Sequence, residues 1–294
     1  GAKQLEINYN QQTALGVNAL LLDQAALKKR FPSLGVDDIV LGCLSPEDGT
    51  LTTAKALKGF RQKAESLGVE YVAAKVAAFK MGNNRVQAAV LDSGEEIHAE
   101  VFVNAAGAWA NNIAQMAGLT LPIEPMCRVK HYWTCQNDIE PLPLIKDETA
   151  LFFRPQGDGF VGGRPSWEIK PGFNFVDDGN RLDVYFDGYF ERVVKPLLKT
   201  RLPAFESAVE HESWTGHYAQ NTFDGNMILG QMGGSAQNLF NCCGFSGHGI
   251  MHAPAMGRAL SELILYGRFE TIDLGRMSYQ RLLDNDPYPE RGII

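Results

Sequence analysis

Several things are scarce in this 294-residue chain, and each scarcity removes a class of function. No stretch approaches the ~18 consecutive apolar residues that a bilayer span requires, and no basic-then-apolar leader opens the chain. A soluble, cytoplasmic protein with no membrane span is therefore expected. Lys and Arg total 27 against 34 Asp and Glu, a net charge of -7, and they form no cluster. A phosphate backbone needs several cations on one face, so no nucleic-acid partner is expected. The five cysteines (Cys43, Cys127, Cys135, Cys242, Cys243) are odd in number, with no C-x-x-C and no His at zinc-finger spacing. Neither a disulfide framework nor a structural metal is signalled, and reduced thiols are expected. The first residue is Gly, not Met, so this N-terminus is not expected to be the one that the gene encodes.

What is present is apolar material, 45% of residues, enough for a substantial core in one large or two ordinary domains. Asp23 is placed to cap a helix from Gln24 to Arg30 that Pro32 stops, followed by a short strand from Ile39 to Cys43. Thr52 or Thr53 opens a helix with Leu57, Phe60, Ala64 and Leu67 along one stripe, read as buried, and Gly68 ends it. Three strands rich in Val and Ala (70–80, 85–92, 95–105), joined by Gly82-Asn83-Asn84 and Asp92-Ser93-Gly94, read as an antiparallel meander. The third, through Val101-Phe102-Val103-Asn104-Ala105, is apolar on both faces and is expected inside a layered sheet, with a helix from Asn111 to Met116 after it. Residues 123–215 mix aromatic and polar residues and read as a second sheet: a strand over 128–134, a hairpin over 151–154 and 160–163, then a helix near 190–198. A strand over 239–243, a glycine-rich loop and a long helix from about Ile250 to Leu265 follow.

Two glycine clusters compete for attention. Gly157-Asp158-Gly159-Phe160-Val161-Gly162 matches the dinucleotide pattern G-x-G-x-x-G. That pattern works where a strand turns into a helix whose N-terminus faces a pyrophosphate. Here the glycines join two strands and Pro165 follows, so a hairpin turn is the reading. Gly244-Phe245-Ser246-Gly247-His248-Gly249 does lie between a strand and a helix. Backbone N–H groups freed at such a helix start suit a phosphate, a carboxylate or the negative edge of a reduced flavin. On spacing alone, a tight turn with His248 as a satisfied polar residue accounts for it equally well.

Taken together, the chain resembles the FAD-dependent oxidoreductase family of D-amino acid oxidase, glycine oxidase and sarcosine oxidase or dehydrogenase. The matching residues are Leu21-Leu22-Asp23 with Arg30-Phe31-Pro32; Asp48-Gly49; Val103-Asn104-Ala105-Ala106-Gly107-Ala108-Trp109; Phe153-Arg154-Pro155 with Gly157-Asp158-Gly159; and the 244–249 cluster. Trp214-Thr215-Gly216-His217-Tyr218, Asn221-Thr222-Phe223-Asp224 and the run Arg268 to Leu274 are most similar to the mitochondrial branch linked to respiratory complex I assembly. The resemblance implies an α+β (mixed α/β) fold: an incomplete FAD-binding layered domain (48–122 and 216–294) interleaved with a substrate domain (1–47 and 123–215).

It also implies roles. Lys75 and Val76 would offer backbone groups to the adenine, and Ala106, Gly107 and Trp109 would line the pyrophosphate side. Gly244, Gly247, His248 and Gly249 would meet the isoalloxazine, the helix dipole favouring charge at its N1–O2 edge. The substrate, a small amine or amino acid, would lie over the flavin against the 123–215 sheet, with Arg154 and Lys130 for its carboxylate and His131 and Tyr132 as polar wall. Met251 stands where sarcosine oxidase has a lysine that contacts the substrate carboxylate. No cysteine lies in 214–223, so the FAD would be noncovalent.

The family opens with a strand, a true G-x-G-x-x-G turn, a helix and an acidic residue on the adenosine ribose, and none of these is in this chain. The expectation is that at least an opening βαβ unit of roughly 30 residues lies outside it. Tight FAD binding by the chain alone is not expected, and an apolar face and a sheet edge should be left exposed, with a homodimer as the expected partner. Two other readings stay open: a non-catalytic interaction or assembly protein that keeps the fold, and a small-ligand-binding protein built on the 123–215 sheet.

Overall fold

The structure is a computed structural model that describes residues 1–136, 139–174, 185 and 188–290. In chain order, α1 (Ala2–Ala14) comes first. Its apolar residues Leu5, Ile7 and Tyr9 alternate instead of recurring at helical spacing, so no helical period marks it in residue order. β1 (Leu20–Asp23) and β2 (Leu41–Leu44) pair antiparallel and enclose α2 (Gln24–Arg30). The α2 start is fixed by the Asp23 carboxylate, which accepts from the Ala26 N–H at 2.8 Å.

α3 (Thr53–Ser66) is followed by β3 (Val76–Gly82), β4 (Arg85–Leu91) and β5 (Glu96–Ile97), an antiparallel sheet. The third strand expected over 95–105 is two elements. Phe102–Asn104 leaves the meander as β6 and pairs in parallel with a strand more than 130 residues away. The break is held by Asn238, whose Nδ2 donates to the carbonyls of Val86 at 2.9 Å and Glu100 at 3.0 Å. α4 (Ala110–Met116), β7 (Ile123–Thr134), β8 (Ile145–Lys146), β9 (Phe152–Gln156) and β10 (Gly159–Gly163) come next. The remainder is α5 (Lys195–Arg201), β11 (Val209–Asn221), β12 (Ile228–Gly233), β13 (Ala236–Cys243), α6 (Gly249–Tyr266) and α7 (Gln280–Leu283).

The chain divides into two compact units, an organisation that gives the mixed α/β architecture expected from the sequence. The first comprises residues 1–50, 127–170 and 174–216. Its sheet has the order β11-β7-β10-β9-β8. Alternate residues of β7 (Cys127, Val129, His131, Trp133) are buried on one face. There Phe205 makes edge contacts with Trp133, Phe153 and Phe160 at centroid distances of 5.6, 5.3 and 4.8 Å. Such pairs add about 0.5–1.5 kcal/mol each beyond their buried area. Arg201, buried, ties the N-terminal segment to this core through Asp38 at 2.8 Å and Asp147 at 2.9 Å.

The second unit comprises residues 51–126, 171–173 and 217–294. β13 is central in a three-stranded sheet, antiparallel to β12 and parallel to β6. One core cluster gathers Ala110, Ala114, Leu121, Ile123, Ile228 and Leu239, and a second lies under α6 around Leu229, Met256 and Leu260. Two expectations fail here for one reason. α3 buries no residue, leaving Leu57, Phe60 and Leu67 at 72, 64 and 72% exposure, and Val103 on β6 is 46% exposed. Both have apolar faces with no covering layer among the described residues, and β6 is an edge strand with one side unpaired.

Candidate functional site

In the second unit the site grows from two parallel strands. Phe102, Val103 and Asn104 of β6 stand opposite Leu239, Phe240 and Asn241 of β13, so both strands end at the same edge of the sheet. Both then run into glycine-containing junctions: Ala106-Gly107-Ala108-Trp109 after β6, Gly244 to Gly249 after β13. Neighbouring strands lie about 4.8 Å apart, so the two glycine junctions emerge side by side. The crevice outside the carboxyl ends of parallel strands is where open α/β sheets hold ligands. Asn104 and Asn241 brace the pair of junctions from beneath. Asn104 Nδ2 donates to the Ala110 carbonyl at 2.9 Å and to Asn241 Oδ1 at 3.2 Å, and its Oδ1 accepts from the Ala106 N–H at 3.3 Å. The Nδ2 of Asn241, fully buried, has no acceptor among the described residues.

The 244–249 loop is held in an unusual shape. Gly244, Ser246 and Gly247 all have left-handed backbones, with φ of 74°, 46° and 96°. A Cβ at Gly244 would press on Ile123 Cδ1 at 3.2 Å, so that turn needs glycine. Ser246, buried, is fixed by its N–H to the Ala219 carbonyl at 2.8 Å and by its Oγ, which accepts from the Asn221 N–H at 3.0 Å. His248 is the residue before α6, and its side chain makes no capping bond. The first N–H groups of an 18-residue helix therefore carry partial positive charge at this point, beside the Gly247 turn. Tyr218 is the neighbour that a Cβ on Gly247 would approach, at 3.8 Å. Met251, one turn into α6, is 65% exposed.

Trp109, half exposed, stacks on Phe173 with centroids 5.2 Å apart, and Phe173 meets the His217 ring edge-on at 5.7 Å. Burial holds His217 below the usual histidine range, against a hydrogen bond to the Gly172 backbone carbonyl that acts the other way. Val76, half-buried, opens β3 opposite Leu91, and the Lys75 carbonyl accepts from the Asp92 N–H at 2.9 Å. The fit of a flavin to this unit rests on two features: a glycine cradle with a helix start aimed past it, and an orphaned buried amide beneath. Cys242 and Cys243 precede the cradle as thiols, burial pushing Cys242 up to about 11 and Cys243 higher still.

In the first unit the structure divides the expected substrate set. Tyr132, Val161 and Arg154 are in register across β7, β10 and β9 and share one face, with Lys130 two residues along β7 on that same face. Lys130 and Arg154 are close enough that, after burial, the Arg154 charge is what lowers the lysine pKa. Arg154 donates to the Pro155 carbonyl at 3.1 Å and to Gln156 Oε1 at 2.7 Å. His131, expected in the same wall, is on the opposite, buried face because strand side chains alternate. Its Nδ1 meets Glu210 Oε1 at 2.5 Å, its Nε2 has no partner among the described residues, and burial holds its pKa down against the Glu210 hydrogen bond and charge. The G-x-G-x-x-G match at 157–162 is the β9–β10 hairpin, with Gly157 at φ +57° in its turn.

Sequence reasoning named Asn104, Asn221 and Asp224 only as parts of motifs, and left out Asn241, Phe173 and Arg281. Asn104 and Asn241 carried a readable signal: each is an amide at or near the end of an apolar strand that runs into a glycine junction.

Comparison with known proteins shows the family and the fold. A family model described as FAD dependent oxidoreductase matches residues 1–263. The chain is 33% identical to FAD-dependent oxidoreductase domain-containing protein 1 of Xenopus laevis, over 100% of this chain and 64% of that protein. It is 26% identical to mitochondrial sarcosine dehydrogenase of Mus musculus over 87% of this chain and 28% of that protein. Among solved structures, L-proline dehydrogenase from P. horikoshii superposes with a TM-score of 0.83 at 26% identity, covering 98% of this chain and 75% of that one. The chain thus spans just under two thirds of the Xenopus relative it matches.

Proposed function

The chain belongs to the FAD-dependent oxidoreductase family, and from that premise we propose that it is the portion of a flavoenzyme that holds the isoalloxazine and the substrate. The reaction is oxidation of the C–N bond of a small amine or amino acid that carries a carboxylate. The observation that carries the reading is the pair of in-register parallel strands, β6 and β13, opening at one edge into two glycine junctions. A bound flavin would supply the two-electron acceptor, taking a hydride equivalent from the carbon next to the amine.

The chain's own residues do the rest. Gly247, His248 and Gly249 offer backbone amides, and the α6 dipole favours negative charge placed against them. Ala106, Gly107 and Trp109 line the neighbouring junction. Lys130 and Arg154, side by side with no ion pair among the described residues, are two cations in want of an anion. They hold the substrate carboxylate, and Tyr132 in the same row gives a polar contact. Their positive charge also favours the neutral form of the amine, the form from which a hydride can leave. Anaerobic addition of N-methylglycine, D-alanine or L-proline to the FAD-loaded protein tests this. Bleaching of the oxidised-flavin band by one of them is the expected result, and an unchanged band with all three contradicts it.

The exposed stripe of α3 and the unpaired β6 edge support a second reading, a non-catalytic interaction protein that retains the fold. Turnover with any simple amino acid would count against it.

A further inference from the structure

We infer that Asp224 and Arg281 are positioning residues, a buried ion pair through which the C-terminal strap holds the 244–249 loop in its cofactor-binding shape. The inference rests on the reading of that loop as a flavin contact, and it concerns residues that make no contact with the flavin themselves.

Asp224 and Arg281 side chains are 0 and 3% exposed, and the Arg281 Nε donates to Asp224 Oδ2 at 2.7 Å, its Nη2 to Oδ1 at 3.1 Å. The three remaining guanidinium protons are shared among four carbonyls: Met277 at 2.7 Å, Ser278 at 3.2 Å, Asn226 at 3.1 Å and Met227 at 2.9 Å. Asp224 accepts three more bonds, from Asn221 Nδ2 at 3.0 Å, the Asn226 N–H at 3.1 Å and the Tyr288 N–H at 3.1 Å. The Asp224 carbonyl takes the Glu290 N–H at 2.9 Å, and Asn226 Nδ2 reaches the Tyr288 carbonyl at 3.3 Å. Arg281, Tyr288 and Glu290 thus stitch the strap to the 221–227 turn at three points.

The turn passes the constraint on. Asn221, held by Asp224, donates its backbone N–H to Ser246 Oγ, and the Ser246 N–H returns to Ala219. Ser246 is a non-glycine residue in the left-handed region, a conformation that costs about 1–2 kcal/mol and persists only where its surroundings fix it. Asn221 and the Ala219 carbonyl together fix it. A path of hydrogen bonds therefore runs from the strap through Arg281, Asp224, Asn221 and Ser246 into the glycine cradle. Each link is buried, where losing one partner exposes the full desolvation cost of the other.

Amide hydrogen exchange on the flavin-free 294-residue chain tests the inference, comparing the wild type with Asp224→Asn, Ser246→Ala and a chain ending at Asp286. The expected result is that exchange at Ser246 and His248, both hydrogen-bonded in the wild type, rises about tenfold or more in each variant while the β7–β10 sheet is unchanged. FAD affinity, titrated in parallel, should fall in the same order as loop protection. Should Asp224→Asn fail to fold, the shortened chain and Ser246→Ala carry the test. Unchanged exchange at Ser246 and His248 in those two variants would overturn the inference. Faster loop exchange in the variants together with no FAD uptake by the wild type would leave the positioning role standing and remove the flavin reading.

Discussion

Asn104 and Asn241 face each other across the parallel pairing of β6 and β13, amide to amide at 3.2 Å, directly beneath the two glycine junctions. Asn104 also satisfies the Ala110 carbonyl and the Ala106 N–H. Asn104→Ala leaves these buried groups unmet and should cost about 1–3 kcal/mol, read as a lower urea midpoint at unchanged slope. Asn104→Asp, which keeps the acceptor but replaces a donor with charge, should cost at least as much.

Lys130→Gln and Arg154→Gln should each weaken binding of a substrate-like carboxylate to the FAD-loaded protein by roughly tenfold to a hundredfold, the value of one hydrogen bond to a charged group. Stability should move the other way or not at all, because each change relieves repulsion between neighbouring cations. Perturbation of the flavin spectrum gives the affinity and thermal unfolding gives the stability. His131→Gln should leave carboxylate affinity unchanged, since His131 lies on the other face of the sheet.

Glu262 sets an acid limb. Its carboxylate accepts from Thr271 Oγ1 and from the backbone N–H groups of Glu270 and Thr271, at 2.9 and 3.1 Å, and these bonds take its pKa down to about 2. A carboxylate depressed in the folded state adds stability above its unfolded value, near 4.3. That stability is lost as pH falls from there through about 2. Glu262→Gln should flatten the stability curve between those limits, and a denaturant series across that range measures it.

Leu57, Phe60 and Leu67 of α3 are exposed, so replacing each with Ser should change the stability of this chain by no more than about 0.5 kcal/mol. Leu229→Ala or Leu198→Ala, in buried positions, should cost about 2–5 kcal/mol. Equal losses for the two groups would show that α3 packs against something in this chain after all.

Much of this was legible in residue order, and the failures share a physical cause. α2, α4 and α6, the 152–163 hairpin and the glycine-rich loop were readable because caps, turns and apolar periodicity are local signals. β11 was not, since its thirteen residues mix His, Glu, Trp, Gly and Gln with neither period. The splitting of 95–105 was hidden because it is decided by Asn238, a residue far along the chain. Periodicity named the apolar stripe of α3 correctly but could not say whether anything covers it. Lys130 and Tyr132 fell together because they are two residues apart on a strand; His131, between them, was assigned to their wall only because alternation was not applied. Arg281 had no local signal, as its meaning comes wholly from Asp224.

The most direct test of the account is an equilibrium titration of the purified 294-residue chain with FAD, followed by flavin fluorescence, beside the same titration of Gly247→Val. Gly247 sits at φ +96°, where a β-branched residue is strained, so the substitution deforms the cradle. The account predicts weak but saturable quenching for the wild type, since the isoalloxazine contacts are present without the dinucleotide unit, and its loss in the variant. Emission that the wild type leaves unaltered, or identical curves for the two proteins, would contradict it.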